Sequence, residues 1–420
     1  MLVGAAAVGV ATTGTPFGGG DRTVAYWHLF GGGDGVRMAD MLSSFNGSDI
    51  GITADPVTLP WGPPYYTKLS LAAVGGRAPD VAVMHATRLA AFAPSNLVEP
   101  VPLDLLEKYD IGESQFLPKL WESGQWKGRQ FAIPLDTHPW VLYYNTDLHK
   151  DTDLLGDDGL LKPIKGEQQF IDALETSKKI TKANGVTFET RGVTPWRMFL
   201  TFYSQAGGGP ILQDDGKQVS IDDAKALPIL EFMGELGKRK LAPDLDYAAS
   251  VALFSNKQAA FHMNGEWEIS TFQAQKMPFN MTTIPDVFGG VQTQADSHVF
   301  VIPFSRTRSR ERLDAAIEFI AGMVKRSDTW VLGGHVPAYK PVFDSQKYKD
   351  LKPQSNYASA ANNVVYDPLA WYSGSGSNFE TVAGSAFQSV LTGALSPKAG
   401  LDTFRRDVEL LAETPAPVPV

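Results

Sequence analysis

The sequence predicts a layered α/β fold divided into two lobes. Three observations support this prediction. The chain has 420 residues, which is more than one hydrophobic core usually supports, so we expect two lobes. Strand-like and helix-like stretches alternate along most of the chain, as is typical of α/β proteins. No internal repeat of roughly 20 to 50 residues is found, which argues against a solenoid or a propeller.

The first elements form strand, loop and helix units. The apolar run 23–27 predicts a strand, and the glycines between 31 and 35 predict a turn. Met38, Met41 and Phe45 then follow at helical spacing. The units that come next are a strand at 50–54, a loop at 60–66, a helix at 67–75 and a strand at 80–84.

Longer helices are predicted in the second half of the chain. The first of them is expected to end at Asn184-Gly185. Pro228 is compatible with a helix only within its first turn, because proline has no backbone N–H. The predicted helices cover 167–184, 222–238 and 314–324, with the last ones between 379 and 412.

Composition excludes several classes of function. The chain has 37 Lys and Arg against 46 Asp and Glu, a net charge of −9. This charge argues against nucleic acid or an anionic membrane as the main partner. The absence of cysteine excludes disulfides, thiolate metal sites and cysteine nucleophiles, and it is consistent with an exported protein.

The first twenty residues resemble the end of a signal peptide followed by a glycine-rich spacer, although the positively charged start is missing. A flexible N-terminus is the alternative interpretation. No later segment reaches the roughly 18 to 20 apolar residues that a spanning helix needs. We therefore expect residues 1–20 to lie outside the fold and the mature chain to be soluble.

The segment 133–145 carries the clearest functional signal. Asp136, Thr137 and His138 stand between two prolines and directly before a continuous apolar run that predicts a buried strand. The prolines favour extended backbone and remove backbone donors, so the polar residues are expected on a stiff crossing. Such a crossing is typical of the lining of a cleft.

Histidines and aromatic residues recur at the ends of predicted elements, where open α/β sheets place ligand groups. Neutral imidazole offers one donor and one acceptor, which suits a hydroxyl-rich ligand, and flat rings suit the apolar face of a sugar. Structural roles in the core are the alternative for any one of these residues. The residues are His28, His85, His138, His298 and His335, with Trp27, Trp61, Tyr65, Trp140, Trp196, Trp267 and Trp371.

No catalytic, nucleotide or metal signature is found. The glycine-rich turn lacks the spacing of a dinucleotide motif, and no local histidine pair resembles a zinc motif. The acidic run 151–158 departs from a calcium loop at Leu155 and Lys162. A pair of glycosidase carboxylates such as Asp136 and Glu266 stays open, because sequence does not give their separation. We expect no catalytic residue, no metal ligand and no cofactor.

An ordered set of motifs resembles the family 1 extracellular solute-binding proteins of bacterial ABC importers, the group that includes the maltodextrin-binding protein. The resemblance extends over nearly all of residues 21–410. The motifs are Trp27-His28, Ala78-Pro79-Asp80-Val81, Ile133-Pro134 through Leu148, Phe261-His262-Met263-Asn264-Gly265-Glu266-Trp267 and Gly333-Gly334-His335-Val336-Pro337.

The resemblance implies a type II periplasmic-binding-protein-like fold, in which each lobe is a mostly parallel sheet flanked by helices. The chain would cross three times between the lobes, at hinge segments, and the ligand would lie between them. The implied division is 21–140 with 291–340 for the N-terminal lobe, 141–290 with 341–412 for the C-terminal lobe, and a tail at 413–420.

The resemblance also implies which residues bind the ligand. Tryptophans would stack on sugar rings, whereas Asp136 and the histidines would hydrogen-bond hydroxyls, and the segment from Trp371 to Phe379 would form a final part of the cleft lining. The candidate ligand-binding residues are Trp27, His28, Phe30, Gly31, Gly32, Trp61, His85, Arg88, Asp136, His138, Trp196, Gly208, Trp267, His335, Trp371 and Asn378.

Departures from the maltodextrin binders bear on the ligand. Glycines replace a charged pair after the first turn, and Met84 and His85 replace a tryptophan after the Pro-Asp motif. A smaller carbohydrate is therefore expected. A glycerophosphodiester or sugar phosphate is the alternative, with Arg88 as the clamp for its oxyanion.

The predicted function is that of an extracytoplasmic binding component, which delivers a sugar or oligosaccharide to the transmembrane subunits of an ABC permease. We expect a monomer that binds no nucleic acid. A carbohydrate-active hydrolase and a surface adhesin are the other classes considered.

Overall fold

The computed structural model describes residues 22–416. The expected leader, residues 1–20, lies outside the described residues, as does the end of the expected tail. The strands are β1 (Thr23–His28), β2 (Thr53–Thr58), β3 (Val81–His85), β4 (Val98–Glu99), β5 (Gln125–Trp126), β6 (Arg129–Gln130), β7 (Ala132–Pro134), β8 (Asp136–Asn145), β9 (Asn184–Thr187), β10 (Leu212–Gln213), β11 (Gln218–Val219), β12 (Ala259–Gly265), β13 (Phe279–Thr283), β14 (Thr293–Asp296), β15 (His298–Pro303), β16 (Val336–Pro337) and β17 (Val364–Val365).

Helices fill the intervals between most of these strands. The α-helices are α1 (Gly32–Asn46), α2 (Pro63–Val74), α3 (Leu89–Phe92), α4 (Leu103–Lys108), α5 (Pro118–Ser123), α6 (Thr146–His149), α7 (Gly166–Thr181), α8 (Thr194–Gln205), α9 (Asp223–Lys238), α10 (Tyr247–Ser255), α11 (Ile269–Ala274), α12 (Arg310–Lys325), α13 (Ser327–Trp330), α14 (Lys340–Phe343), α15 (Gln346–Asp350), α16 (Asn378–Leu391) and α17 (Pro397–Glu413). Short 3₁₀ helices cover Ala86–Arg88, Glu113–Gln115, Glu266–Glu268, Val331–Gly333 and Gln354–Asn362.

The first sheet has the strand order β2-β1-β3-β15-β4, with β7 also paired to β15. The strands β1, β2 and β3 are parallel, whereas β15 runs antiparallel to β3. The ends of β1 and β3 therefore lie at one edge of this sheet, and the register pairs His85 at the end of β3 with His298 at the start of β15.

The second sheet has the order β17-β14-β8-β12-β9, with β13 and β16 also paired to β8. All ten residues of β8 are buried. Its first half pairs with β16 and β14, and its second half pairs with β12 and β13. Because β7 ends in the first sheet at Pro134, β8 carries the chain from one sheet to the other.

Two hydrophobic cores accompany the two sheets, which confirms the predicted α/β class. The first core also contains Val342, Tyr348 and Tyr357, which the sequence prediction gave to the second lobe. After β15, the chain returns to the second core only beyond Val364, which is later than the predicted boundary at residue 340.

Two helix predictions need correction. Helix α7 ends at Thr181, and Lys182 follows in a left-handed conformation, so Asn184-Gly185 begins strand β9 and does not end the helix. Helix α9 begins at Asp223, which puts Pro228 at the sixth position and beyond the first turn. Burial of Ala226, Ile229 and Leu230 around the proline offsets the missing backbone bond.

Across residues 22–416, no helix has both the length and the apolar character that crossing a membrane requires.

Candidate functional site

A cavity of about 350 Å³ is lined by residues that follow strands of both sheets. Such strand ends are where α/β sheets present ligand groups. The volume lies near the lower end of ligand pockets, which span about 300 to 1,000 Å³. The lining residues are Leu29, Phe30, Gly31, Asp34, Trp61, His85, His138, Trp140, Glu189, Val193, Arg197, Tyr247, Trp267, Gln294, Asp296, His298, Ser375 and Glu380.

Aromatic rings form several faces of the cavity. Trp61 comes from the first lobe and is 47% exposed. Trp267 follows β12, and its Nε1 donates to the Tyr247 hydroxyl at 2.7 Å. The Arg197 guanidinium lies 5.5 Å from the centre of the Trp267 ring. This partner set fixes the orientation of the indole, so the cavity presents a rigid ring face.

Three histidines meet where the two sheets join. The ring centres of His138 and His298 are 4.2 Å apart, and His85 lies 5.4 and 5.0 Å from them. Burial lowers the pKa of His138 to about 3, with His298 as a second cause. Burial, followed by the charges of His298 and His138, holds the pKa of His85 well below its usual range. The cavity therefore presents neutral imidazole at His85 and His138.

Hydrogen bonds indicate which ring nitrogen carries the proton. The Tyr66 hydroxyl lies 2.6 Å from His85 Nδ1 and accepts the His85 backbone N–H at 3.1 Å. Its own proton then goes to Nδ1, which leaves the proton of His85 on Nε2. His138 instead places Nδ1 against Asp136, at 3.3 Å, so its Nε2 atom is left as an acceptor. His298 Nδ1 lies 2.8 Å from the other oxygen of Asp136.

Asp136 is the centre of this arrangement and is fully buried. Besides the two imidazoles, it accepts the His298 backbone N–H at 2.8 Å and Trp330 Nε1 at 2.5 Å. Burial alone would raise the pKa of Asp136, but His298 and His335 outweigh it and hold the pKa well below its usual value. The carboxylate is therefore ionised and orients the histidines around it.

His335 lies among three carboxyl groups. Its Nε2 is 2.9 Å from Asp34, and its Nδ1 is 3.0 Å from Glu266 and 3.3 Å from Asp136. Burial opposes its charge, but Asp34 and Asp136 raise the pKa of His335 well above its usual range. Burial also raises the pKa of Glu266 to about 7. A cationic His335 thus balances part of a buried negative charge.

Two further carboxyl groups, those of Asp296 and Glu380, line the cavity. Burial raises the pKa of Asp296 to about 7 and that of Glu380 to about 8. Asp296 accepts the Thr87 hydroxyl and the Ser297 backbone N–H, and Glu380 accepts the Gly376 backbone N–H at 2.7 Å. Protonated carboxyl groups both donate and accept hydrogen bonds, which suits a ligand made of hydroxyl groups.

Six of the sixteen sequence-predicted site residues line the cavity, and ten lie elsewhere. Those in the lining are Phe30, Gly31, Trp61, His85, His138 and Trp267. Those outside the lining are Trp27, His28, Gly32, Arg88, Asp136, Trp196, Gly208, His335, Trp371 and Asn378.

Several residues outside the lining have clear structural partners. Trp196 is fully buried in the second core and donates from Nε1 to Asp367 at 2.9 Å, so its expected stacking on a sugar is wrong. Arg88 stacks on Tyr66 and donates to the Ser373 carbonyl. Asp136 and His335 are fully buried and act on the cavity through the histidines.

The remaining residues outside the lining have other surroundings. His28 accepts the Phe30 backbone N–H and faces Thr58, while Trp27 packs into the first core under Lys68. A side chain at Gly208 would meet the Tyr203 ring. Gly32 begins helix α1, and Asn378 begins helix α16. Trp371 is partly buried and packs against the second core.

The possible glycosidase pair is also corrected. Asp136 and Glu266 are both fully buried, and both contact Nδ1 of the same histidine, His335. No sugar ring fits between two carboxyl groups that share one imidazole, so this pair does not flank a scissile bond.

Sequence reasoning missed most of the polar lining, including Glu189, Arg197, Asp296 and Glu380. A signal existed at the start of helix α8, because the N-cap residue Val193 and Arg197 are four residues apart and both line the cavity. Trp196 lies on another face of that helix and is directed into the core. No local sequence motif distinguishes Asp296 and Glu380 from acidic residues on the protein surface.

Comparison with known proteins gives a consistent result. A family model described as bacterial extracellular solute-binding protein matches residues 41–353. The maltotriose-binding protein of Pyrococcus abyssi is 24% identical over 226 residues, which is 52% of this chain and 44% of that protein. The matched part therefore spans less than half of that relative.

Solved structures share the fold over almost the whole chain. The GacH receptor of Streptomyces glaucescens, solved unliganded and with acarbose, superposes with a TM-score of 0.77 at 19% identity, covering 94% of this chain and 99% of that one. Maltose-bound MalE3 of T. maritima gives 0.76 at 21% identity, covering 93% and 99%. MalE of Bdellovibrio bacteriovorus bound to maltotriose gives 0.73 at 19% identity, covering 93% and 100%. These likenesses establish the two-lobed fold.

Proposed function

Because the chain belongs to the bacterial extracellular solute-binding protein family, we propose that it captures a sugar between its two lobes and delivers it to an ABC importer. The observation that carries the proposal is the cavity itself, where ring faces stand beside neutral imidazoles and carboxyl groups from both lobes. The relatives described as binding maltotriose, acarbose and maltose support a carbohydrate ligand.

Each group in the cavity has a role that suits a sugar. Trp61 and Trp267 offer flat apolar faces for the C–H side of a pyranose ring. His138 presents an Nε2 acceptor for a ligand hydroxyl, whereas His85 presents an N–H donor. A site that combines fixed donors and acceptors discriminates between sugars that differ in one hydroxyl, because a mismatch leaves a buried polar group unpaired.

The volume and the charges favour a small, uncharged sugar over a phosphorylated one. The cavity of about 350 Å³ is small for an extended oligosaccharide. Arg88 is held by Tyr66 and Ser373, outside the lining, so it does not form the expected phosphate clamp. Arg197 stands in the lining together with Glu189, Asp296 and Glu380, and each of these carboxyl groups that is ionised disfavours a phosphate dianion.

The remaining parts of the proposal follow from the family. The chain would act outside the cytoplasm as a monomer, without catalysis of its own, and would meet the permease subunits in its closed form. We further propose hinge segments at the start of β8, at the β14–β15 junction and near Val364. Ligand contacts to both lobes would then stabilise closure.

A thermal-shift panel tests the function. A ligand present at about 100 times its Kd stabilises the folded state by about 2.7 kcal/mol, which raises the melting temperature measurably. We expect a shift with a mono- or disaccharide and none with glycerophosphodiesters. A shift only with the phosphodiesters would replace the sugar assignment, and no shift with any compound would favour an adhesin.

Trp267→Ala and Trp371→Ala form a matched pair for the site. Loss of the cavity ring should weaken sugar binding by about 2 kcal/mol, roughly thirtyfold, if the indole behaves as an interface anchor. Trp371 lies outside the lining, so its variant should bind as the wild type does. Calorimetric titration of both variants measures the difference, and equal affinities would contradict the site.

A further inference from the structure

We propose that this protein binds one divalent transition-metal ion, Zn²⁺ by its donor chemistry, among Asp136, His138, His298 and His335. One ligand atom from each of these four side chains lies within 4.8 Å of all the others. The four residues come from three distant parts of the sequence, which explains why the sequence contains no local zinc motif. This proposal does not rest on the proposed sugar transport, although His138 and His298 also line the cavity.

The spacing of the donor atoms suits a tetrahedral ion. Zinc–nitrogen bonds of about 2.0 to 2.1 Å place neighbouring ligands of a tetrahedron about 3.3 Å apart. The Nδ1 atoms of His138 and His335 each lie 3.3 Å from an Asp136 oxygen, and that of His298 lies 2.8 Å away. Small adjustments of the side chains therefore admit an ion at the centre.

The ligand types select the metal. Three imidazoles and one carboxylate form a set that zinc commonly accepts, and imidazole also suits copper, nickel and cobalt. Calcium and magnesium prefer sites built mainly of oxygen atoms. The set is also closed, because four protein ligands fill a tetrahedron and leave no position for a substrate.

The surrounding groups already hold the ligands as a second coordination shell would. The other ring nitrogen of His335, Nε2, lies 2.9 Å from Asp34, in the carboxylate–histidine arrangement that accompanies zinc sites. Trp330 Nε1 and the His298 backbone N–H donate to Asp136 and fix its carboxylate. The ligands are thus positioned without help from the ion.

A further buried carboxyl group, that of Glu266, lies beside the proposed ligands. Both oxygens of Glu266 and the Nδ1 of His335 are buried without a well-formed hydrogen bond among the described residues. Glu266 is fully buried and lies 3.0 Å from that nitrogen. Together with Asp34 and Asp136, it places three carboxyl groups against the His335 ring, and a divalent ion would offset negative charge among them.

The ion would link two parts of the chain. Asp136 and His138 belong to β8, whereas His298 begins β15 and His335 directly precedes β16. A metal bound by all four side chains would therefore join β8 to the β14–β15 junction.

Calorimetric titration of the untagged, chelator-stripped full chain with ZnCl₂ tests the proposal. We expect one ion per chain. Cobalt substitution should give the intense visible absorption of a tetrahedral site. His298→Gln and His138→Gln should each lower affinity at least tenfold, and Asp34→Asn should lower it about ten- to a hundredfold.

His149→Gln is the matched control, because His149 is also a fully buried histidine but packs on Phe261 in the other lobe. It should bind zinc as the wild type does. The wild-type titration decides the proposal even where a ligand variant fails to fold. Failure of the wild-type chain to retain stoichiometric zinc after dialysis would overturn it, as would equal losses in His149→Gln and His298→Gln. Sugar binding plays no part in either readout.

Discussion

Replacing Asp136 by Asn tests whether the buried carboxylate supports the fold through its charge. The substitution keeps the size of the side chain but removes the negative charge beside the cationic His335. It also turns one oxygen into an amide that faces the N–H donors of His298 and Trp330. The perturbation therefore removes a charge partner and creates a clash between donors.

The expected loss follows from complete burial. Removing one partner of a buried ion pair typically costs about 3 to 5 kcal/mol, because the other charge stays buried and uncompensated. Domains are stable by only about 5 to 15 kcal/mol, so the loss takes a large part of the total. The pKa direction gives the same sign. A carboxylate whose folded pKa is lowered contributes stability above its unfolded value, near pH 4, and loses it as the pH falls further.

Equilibrium urea unfolding at pH 7, with a chelator present, measures this loss without any contribution from metal. The control is Asp402→Asn, in which the carboxylate is half exposed and pairs with Lys398 on the surface of α17. That variant should unfold close to the wild-type midpoint. A loss in Asp136→Asn no larger than in the control would refute the idea that this carboxylate stabilises the crossing.

Three further predictions concern the fold and its pH dependence. Trp196→Phe should lower the melting temperature, since the change opens a cavity and leaves Asp367 unpaired, yet sugar affinity should stay unchanged in a titration. Gly334→Ala should destabilise by more than 1 kcal/mol in urea unfolding, because φ is +109° and a Cβ would lie 2.5 Å from the Glu266 carbonyl oxygen. Burial lowers the pKa of His262 to about 3, so the wild type should lose stability relative to His262→Gln as the pH falls from 6.5 toward 3. Unfolding curves at several pH values measure this difference, and a constant difference would contradict the buried neutral state.

Sequence patterns predicted the fold well where periodicity is strong. The runs at β1 and β3 and the apolar part of β8 lie where the alternation and the prolines placed them. Helix ends were less predictable. Helix α7 ends earlier than predicted because Lys182 adopts a left-handed conformation. Helix α9 contains a proline beyond its first turn, and the burial of Ile229 and Leu230 stabilises the helix despite it.

The site was predicted only in part, because sequence gives the type of a residue but not the direction of its side chain. His85 and His138 were found since they stand at strand positions that face the junction of the sheets. Trp196 was misassigned because helical phase directs it into the core, whereas its neighbour Arg197 reaches the cavity. Asp296 needed the pairing of β14 with β8, which only the folded chain supplies.

The position of strand β8 affects how the ligand affinities of variants in this strand are interpreted. The same ten-residue strand supplies His138 and Trp140 to the cavity and carries the chain between the sheets. An exchange at either position would change the contact with the ligand and the equilibrium between open and closed forms together. A measured Kd is the intrinsic constant divided by the fraction of molecules competent to bind. A substitution in β8 that changes ligand selectivity would therefore also change the equilibrium between the open and closed forms.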